Sequence, residues 1–271
     1  MGAELMHSTR VVTTRGASCQ VLEGGSGAPL LYLHGTLGLA GLDPLLGQLG
    51  ERYHVFAPEW PGYGDSTGEE LLEDMLDFTL HGWDVADALG LERPALVGHS
   101  MGGMIAAEMA CVCPARPTSL ALVAPAGLWL DDHPMPDIFA TLPHDLPALL
   151  FHDAAGGAAF LSGGVDFSDL DALAAFMVAN AKRLGAAGKI LFPIPNRRLS
   201  KRLYRLRTAT LLAWGEDDRL MPLAYADRWA ELVPHAELVV VGGAGHLLPV
   251  EQPSALAAAI VKFLDQPSRL A

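Results

Sequence analysis

The sequence predicts an α/β fold built on a mostly parallel, doubly wound sheet of about eight strands, with an inserted helical cap. Short apolar runs alternate along the chain with longer helical patterns, as in a parallel sheet covered by helices. Most of these runs are apolar throughout, which is typical of strands buried on both faces. The chain has 271 residues, of which 51% are apolar and 18% charged, so it can bury one large core.

Two short runs open the chain, residues 10–14 and 18–22, and the turn at Arg15 and Gly16 between them predicts a hairpin. Glycine-rich residues 24–27 then predict a loop. Six core strands are expected at residues 29–35, 53–59, 94–100, 118–127, 208–216 and 236–243. Crossover helices are expected at about residues 69–90, 101–112, 223–233 and 252–265.

Residues 128–207 show no strong strand pattern and predict a helical cap inserted into the core. The core is then formed by residues 1–127 and 208–271. Within the cap, Ser168 with Asp171 three residues later predicts the start of a helix. The apolar face of this helix comprises Leu170, Leu173, Ala174, Met177, Ala181 and Leu184. We expect that face to pack on the core rather than to contact substrate.

The charge balance excludes two classes of partner. The chain carries 18 basic and 31 acidic residues, a formal net charge of −13, which repels nucleic-acid phosphate and anionic membrane surfaces. Residues 197–207 concentrate the basic side chains Arg197, Arg198, Lys201, Arg202, Arg205 and Arg207. We interpret this segment as the solvated face of a connecting helix.

The cysteines and apolar segments predict a reduced, cytoplasmic protein. Cys19, Cys111 and Cys113 are odd in number and lack the spacing of a disulfide framework or a zinc site, so no metal is expected. The N-terminal residues contain no apolar stretch of signal-peptide length. The longest apolar run, residues 120–130, is interrupted by proline and glycine and is too short to span a bilayer.

Ser100 lies in the sequence Gly98-His99-Ser100-Met101-Gly102, at the end of a predicted strand and the start of a predicted helix. Gly-x-Ser-x-Gly in this context is the pattern of a nucleophile elbow, in which small neighbours permit a strained turn that lifts the hydroxyl above the sheet. The helix directs its positive end towards the serine, and the backbone N–H of Met101 can stabilise an oxyanion.

A serine hydroxyl needs a general base, and the base needs an orienting acid. Asp218 follows one core strand and His246 follows the next, so both should emerge with Ser100 at the carboxyl edge of the sheet. Asp217 is the adjacent rival for the acid, because only one of the two can face the histidine. Weaker rivals are Asp131 and Asp132, after the fourth core strand.

The loop after the first core strand should supply the second oxyanion donor. His34-Gly35-Thr36-Leu37-Gly38 permits a turn that directs a backbone N–H at the same position, that of Thr36 first and Leu37 second. We interpret His34 as a structural residue that bonds loop backbone, and His99 as directed away from the serine hydroxyl. The expected substrate contacts are His34, Gly35, Leu37, His99 and Leu247, and we assign the cap histidines His133, His144 and His152 to the surface.

Together these residues resemble the α/β-hydrolase family over nearly the whole core. The segments HGTLG, PGYGDS, GHSMGG, WGEDDRLMP and GAGHLLPVEQP stand in the order of that family. The resemblance implies an acyl-enzyme route without cofactor or metal. In that route Ser100 attacks a carbonyl, His246 transfers the proton, Asp218 holds the imidazolium and water completes hydrolysis.

The resemblance implies a serine hydrolase that acts on a carboxylic ester. The many Leu, Phe, Ala and Met residues of the cap predict an apolar pocket, and hence a small apolar acyl or aryl substrate. Serine at the elbow argues against the haloalkane dehalogenase and epoxide hydrolase branches, which use aspartate. The alternatives are a carbon–carbon hydrolase of aromatic meta-cleavage products, a lactonase or perhydrolase, and a ligand-sensing receptor with slow hydrolysis. The carbon–carbon branch usually has tryptophan after the catalytic histidine, whereas this chain has Leu247. A homodimer is left open.

Overall fold

The computed structural model describes residues 6–192 and 198–266 of the chain. These residues contain the strands β1 (His7–Val12), β2 (Ser18–Gly24), β3 (Ala28–Leu33), β4 (Tyr53–Pro58), β5 (Ala95–His99), β6 (Leu120–Val123), β7 (Thr210–Gly215) and β8 (Glu237–Val241). They form one sheet in the order β1-β2-β4-β3-β5-β6-β7-β8. β2 pairs antiparallel with β1 and β4, and the other neighbouring pairs are parallel. The predicted α/β fold with a mostly parallel sheet is confirmed.

Helices cover both faces of this sheet. Within the described ranges they are α1 (Asp43–Gly50), α2 (Met75–Ala88), α3 (Met101–Val112), α4 (Leu146–Leu150), α5 (Ala154–Ser162), α6 (Leu170–Leu191), α7 (Leu223–Leu232), α8 (Leu248–Glu251) and α9 (Pro253–Leu264). Leu45 and Leu49 of α1 meet Leu256 and Ile260 of α9 in the core on one face. α2, α3 and α7 contribute to the core on the other face, so the sheet is doubly wound.

The helix boundaries follow local capping signals. α3 has the predicted bounds, but α2 begins at Met75 rather than at residue 69, because the Asp74 carboxylate accepts the backbone N–H groups of Leu76 and Asp77. α1 is an element that the sequence analysis did not predict. Proline in its first turn, Pro44, is compatible with a helix start because the first N–H groups of a helix lack intrahelical partners.

The parallel strands bring their carboxyl ends to one edge of the sheet. Leu33 of β3 lies opposite Gly98 of β5, and His99 lies opposite Val123 of β6. The loops that follow β3, β5, β7 and β8 therefore open on the same side, where ligands bind in open α/β sheets.

The cap helix α6 differs from its predicted packing. Its N-cap is Asp169 rather than Ser168, whose hydroxyl bonds to Asp166 instead. Its buried residues are confined to the C-terminal part, at Ala186, Ala187 and Ile190. Leu170 is 76% exposed and Met177 is 61% exposed, so the expectation that this apolar face packs on the core is wrong. The physical reason is that α6 packs on the core only near its end.

The basic segment before β7 is largely solvated, since Arg198, Lys201, Arg205 and Arg207 are exposed, but it does not form the predicted connecting helix. Residues 199–205 form two short 3-10 helices, Leu199–Lys201 and Leu203–Arg205. The Arg202 guanidinium pairs with the carboxylate of Glu108, a buried residue of α3, and Arg205 donates to the carbonyl of Cys111 at 2.7 Å. A buried carboxylate needs a cationic partner, which explains why Arg202 faces the protein. Arg197 lies outside the described residues.

Two further expectations concern membrane-spanning segments and the state of the cysteines. Among the helices in residues 6–192 and 198–266, none combines the length and the apolar character that crossing a membrane requires. Cys19 and Cys111 are buried free thiols, and Cys113 is a partly buried one.

Candidate active site

Ser100 occupies a strained turn between β5 and α3. Its φ of 54° lies in the left-handed region that favours glycine, and a non-glycine residue held there costs about 1–3 kcal/mol. The neighbouring glycines are required by close packing. A Cβ on Gly102 would collide with the carbonyl oxygen of Leu33, and one on Gly98 would collide with the carbonyl of Gly102. The elbow predicted from Gly-x-Ser-x-Gly is thus a consequence of backbone crowding between strand and helix.

The structure brings Ser100, His246 and Asp218 into one hydrogen-bonded chain. His246 Nε2 lies 2.9 Å from Ser100 Oγ, and His246 Nδ1 lies 2.9 Å from Asp218 Oδ2. All three side chains are buried. With the carboxylate accepting, Nδ1 carries the proton and Nε2 is left to accept from the serine hydroxyl.

The rival acids lie elsewhere. Asp218 is held in place because its Oδ1 also accepts the backbone N–H groups of Leu220 and Met221, at 3.0 and 2.8 Å. Asp217 instead faces the cap, where its carboxylate lies 2.6 Å from His152 Nδ1. Asp131 is exposed and accepts a bond from the indole of Trp129. The adjacent acids thus have different partners. Asp132 is exposed too.

The loop after β3 lies directly against the serine. A Cβ on Gly35 would be 3.2 Å from Ser100 Cβ and 2.9 Å from His99 Nδ1, so only glycine permits this approach. The next residue, Thr36, lines the cavity above the serine. Met101 opens α3, and the first N–H groups of a helix have no intrahelical acceptor. Thr36 and Met101 remain the predicted oxyanion donors.

His34 lies beneath the site and not at its surface. The ring is fully buried, donates from Nδ1 to the carbonyl of Gly35 at 2.7 Å and accepts the Trp60 backbone N–H at Nε2. Burial lowers the pKa of His34 to about 4, so the ring is neutral. Neither His34 nor Gly35 is among the described residues that line the cavity, so the substrate contacts expected of them are not supported. The His34 ring does not reach the cavity because it packs edge-on against the rings of Trp60 and Tyr63.

The side chain of His99 forms a hydrogen bond to the backbone of His246. Its Nε2 donates to the carbonyl oxygen of His246 at 2.9 Å. Burial, followed by the proximity of His246, lowers the pKa of His99 to about 3, so this ring is also neutral. A neutral ring adds no charge beside the imidazolium that His246 would form during proton transfer.

A cavity of about 640 Å³ lies above Ser100 and His246. Leu37, His99 and Leu247 line it, as the sequence predicts. Much of the remaining wall comes from the cap, including Phe139, Leu146, Leu161, Phe176, Met177 and Leu184. The cap residues were not predicted as a wall, although the abundance of Leu, Phe and Met indicated an apolar pocket. The cap histidines His133, His144 and His152 are exposed.

Arg183 is a charged side chain in the cavity wall that the sequence analysis did not single out. It donates weakly to the carbonyl of Leu37 at 3.4 Å and to the amide oxygen of Asn180. Its Nε is buried and has no hydrogen-bond partner within the described residues. Burial lowers the pKa of this guanidinium. A partly buried guanidinium in the wall of a cavity can receive a polar or anionic group.

The site contains no cluster of metal ligands. Within the described residues, no group of three or more His, Cys, Asp and Glu side chains is arranged to hold a metal ion. The His246 nitrogens bond to Ser100 and Asp218, so its donor and acceptor capacity is used within the site.

Comparison with known proteins relates this arrangement to a large group of enzymes. The sequence profile of the "Alpha/beta hydrolase family" matches residues 30–259. The chain is 29% identical over 257 residues, 89% of its length, to the dihydrolipoyllysine-residue acetyltransferase component of the acetoin cleaving system of Cupriavidus necator. It spans 65% of the length of that relative.

Two further similarities cover nearly the full length of both proteins. The chain is 26% identical to the 2-hydroxy-6-oxo-2,4-heptadienoate hydrolase of Pseudomonas putida, over 90% of this chain and 91% of the relative. It superimposes on a crystal structure of a membrane phospholipase A, described as a bacterial virulence factor, with a TM-score of 0.78 and 26% identity. That superposition covers 96% of this chain and 86% of the other.

Proposed function

Because the chain belongs to the alpha/beta hydrolase family, we propose that it hydrolyses a carboxylic ester of a small apolar acyl or aryl substrate. The observation that carries this proposal is the hydrogen-bonded chain of Ser100, His246 and Asp218 at the base of an apolar cavity. Ser100 is the proposed nucleophile, His246 the general base and Asp218 the acid that orients it.

The proposed reaction proceeds through an acyl-enzyme. His246 Nε2 takes the hydroxyl proton as Ser100 Oγ attacks the ester carbonyl, and the resulting oxyanion accepts the backbone N–H groups of Thr36 and Met101. The imidazolium then donates its proton to the leaving alcohol. Water, activated by the same nitrogen, attacks the acyl-enzyme and releases the acid. Asp218 holds the ring in the required tautomer throughout.

The cavity favours an apolar substrate of limited size. Its wall is mostly aliphatic and aromatic, and pockets of this kind bind apolar groups through burial of their surface. Similarity to a phospholipase A, which by its name acts on lipid esters, supports an ester as the reacting group.

A second candidate function is hydrolysis of a carbon–carbon bond in a dienoate, and Arg183 favours it. A dienoate carries a carboxylate, and the partly buried guanidinium of Arg183 is a cationic group in the cavity wall that can pair with it. The similarity to the heptadienoate hydrolase of Pseudomonas putida supports this candidate. Leu247, in place of the tryptophan expected in that branch, weighs against it.

A turnover panel separates the two candidates. Purified protein and its Ser100→Ala variant are assayed with p-nitrophenyl esters from acetate to decanoate and with 2-hydroxy-6-oxo-2,4-heptadienoate. Turnover of short or medium esters that is lost in the variant supports the ester hydrolase. Turnover of the dienoate alone supports the second candidate, and activity that survives in the variant refutes both.

Arg183→Gln sharpens the same panel, with Arg183→Lys as the control that keeps the charge. If the guanidinium binds a carboxylate, the glutamine variant should raise KM for the dienoate about 10- to 100-fold, the value of one charge-assisted hydrogen bond. The KM for neutral esters should stay within about twofold, because these substrates offer no charge to this group.

A further inference from the structure

Glu251, the last residue of α8, joins two segments that are distant in sequence. Its Oε2 accepts the backbone N–H of Gly245 at 2.7 Å, and its Oε1 accepts those of His152 and Asp153 at 2.8 and 3.1 Å. We propose that Glu251 is a positioning residue, which fixes His246 through the peptide before it and links that position to the cap. This inference rests on the proposed function, in which His246 is the general base.

On the side of the base, the carboxylate closes a short loop. Gly245 directly precedes His246, and the backbone N–H of Glu251 bonds to the carbonyl of Leu247. The imidazole must keep two hydrogen bonds of 2.9 Å at once, to Ser100 and Asp218. A displacement of about 1 Å in reacting groups can lower a rate about 100-fold, so this loop requires a fixed anchor.

On the side of the cap, Glu251 contacts the cap junction, which we define as residues 148–153. Leu247 N–H donates to the carbonyl of Leu150 at 3.0 Å. Arg219, next to the proposed acid, donates to the carbonyls of Ala148 and Phe151 at 2.9 and 3.0 Å. The cap junction is therefore bonded both to the loop of His246 and to the loop of Asp218.

The backbone of the cap junction packs tightly against Gly245. A Cβ on Gly245 would lie 2.8 Å from the backbone nitrogen of His152 and 2.9 Å from the carbonyl oxygen of Leu150. The ring of His152 adds a further link, at 2.6 Å from the carboxylate of Asp217. A displacement of the cap junction is thus transmitted to the peptide that precedes His246.

A carboxylate suits this role because it offers two acceptor atoms to three N–H groups. In Glu251→Gln one oxygen becomes an NH₂ group, which would face either Gly245 or the pair at His152 and Asp153, donor against donor. The matched control is Glu231→Gln, because Glu231 is exposed and bonds to Arg228 on the surface of α7. Glu251→Asp keeps the charge and both oxygens but is one methylene shorter.

Three measurements test the proposal. The rate at which a fluorophosphonate modifies Ser100 reports the activated serine without dependence on the natural substrate. Steady-state kinetics with a p-nitrophenyl ester separate kcat from KM. Amide hydrogen exchange of peptides that cover residues 148–153 and 243–247 reports local loosening in the folded protein.

Glu251→Gln should lower the labelling rate and kcat about 10- to 100-fold, with KM within about twofold. Exchange should rise in both peptides together, and Glu231→Gln should match wild type throughout. Labelling and kcat of Glu251→Gln at the wild-type level would overturn the proposal. If Glu251→Gln does not fold, Glu251→Asp must show a partial loss of kcat, and wild-type rates in that variant would limit Glu251 to folding.

The same experiment separates this inference from the proposed function. Failure of the fluorophosphonate to modify Ser100 in the wild-type protein contradicts the proposed function and the positioning role that depends on it. Modification of wild type and Glu251→Gln at equal rates contradicts only the positioning role.

Discussion

Asparagine substitution at the adjacent acids Asp217 and Asp218 tests the role of the acid. Asp218 Oδ1 accepts two backbone N–H groups, and Oδ2 accepts His246 Nδ1–H. In Asp218→Asn the amide oxygen should remain with the two backbone donors, so that its NH₂ group faces the imidazole. His246 Nδ1 must then accept, and the proton moves to Nε2, which can no longer take the proton of Ser100.

The expected magnitude follows from this tautomer change. Loss of the correct tautomer in a serine triad lowers kcat about 10⁴-fold. At 1.36 kcal/mol for each factor of ten, the barrier rises by about 5.5 kcal/mol. Asp217→Asn removes only a partly exposed pair with His152, and exposed pairs contribute about 0–1 kcal/mol. The activity of Asp217→Asn should therefore stay within about fivefold of wild type.

Initial rates of p-nitrophenyl ester hydrolysis by the two variants show which aspartate orients His246. Thermal unfolding of both variants should remain cooperative, which shows that any loss of rate is a loss of function. Equal losses, or a larger loss in Asp217→Asn, would show that Asp218 is not the acid that orients His246.

Two further predictions concern stability. Burial lowers the pKa of His34 and His81 from 6.5 to about 4, and that of His99 from 6.5 to about 3. Each neutral ring therefore contributes stability above pH 6.5, the pKa in the unfolded chain. That contribution is lost as the pH falls from 6.5 towards the pKa in the folded protein. Urea unfolding at pH 7 and pH 5 should show a loss of about 2 kcal/mol per histidine, and equal stability at both values would contradict it. Gly102→Ala should lower Tm by several degrees and abolish ester turnover, because the new Cβ overlaps a backbone carbonyl. Gly47→Ala, with open space at its Cβ, should leave both unchanged.

The sequence determines the elbow because local sterics determine it. The pattern of Gly98, Ser100 and Gly102 predicts that strand and helix cross closely. α3 begins and ends at the predicted residues. The sheet edge was predictable for the same reason, since apolar runs end where the loops with Asp218 and His246 begin. The choice between Asp217 and Asp218 was not predictable, because adjacent residues differ only in the turn that directs them.

The cap shows where sequence reasoning ends. Helical periodicity identified an apolar face that includes Met177 and Leu184, but periodicity does not tell whether a face meets a core or a cavity. Arg202 belongs to a run of basic residues that suggests a solvated surface, yet its partner Glu108 is 94 residues away. Tertiary contacts of this separation leave no local signal in a single sequence.

The role of Ser100 as the nucleophile is tested by identifying the residue that a fluorophosphonate modifies, while ester hydrolysis is measured on the same samples. We expect one adduct per chain, on the peptide that contains Ser100, and a loss of hydrolysis in proportion to it. Ser100→Ala should show neither the adduct nor hydrolysis. Hydrolysis that persists after Ser100 is fully modified, or that is lost with the adduct on another residue, would show that Ser100 is not the nucleophile.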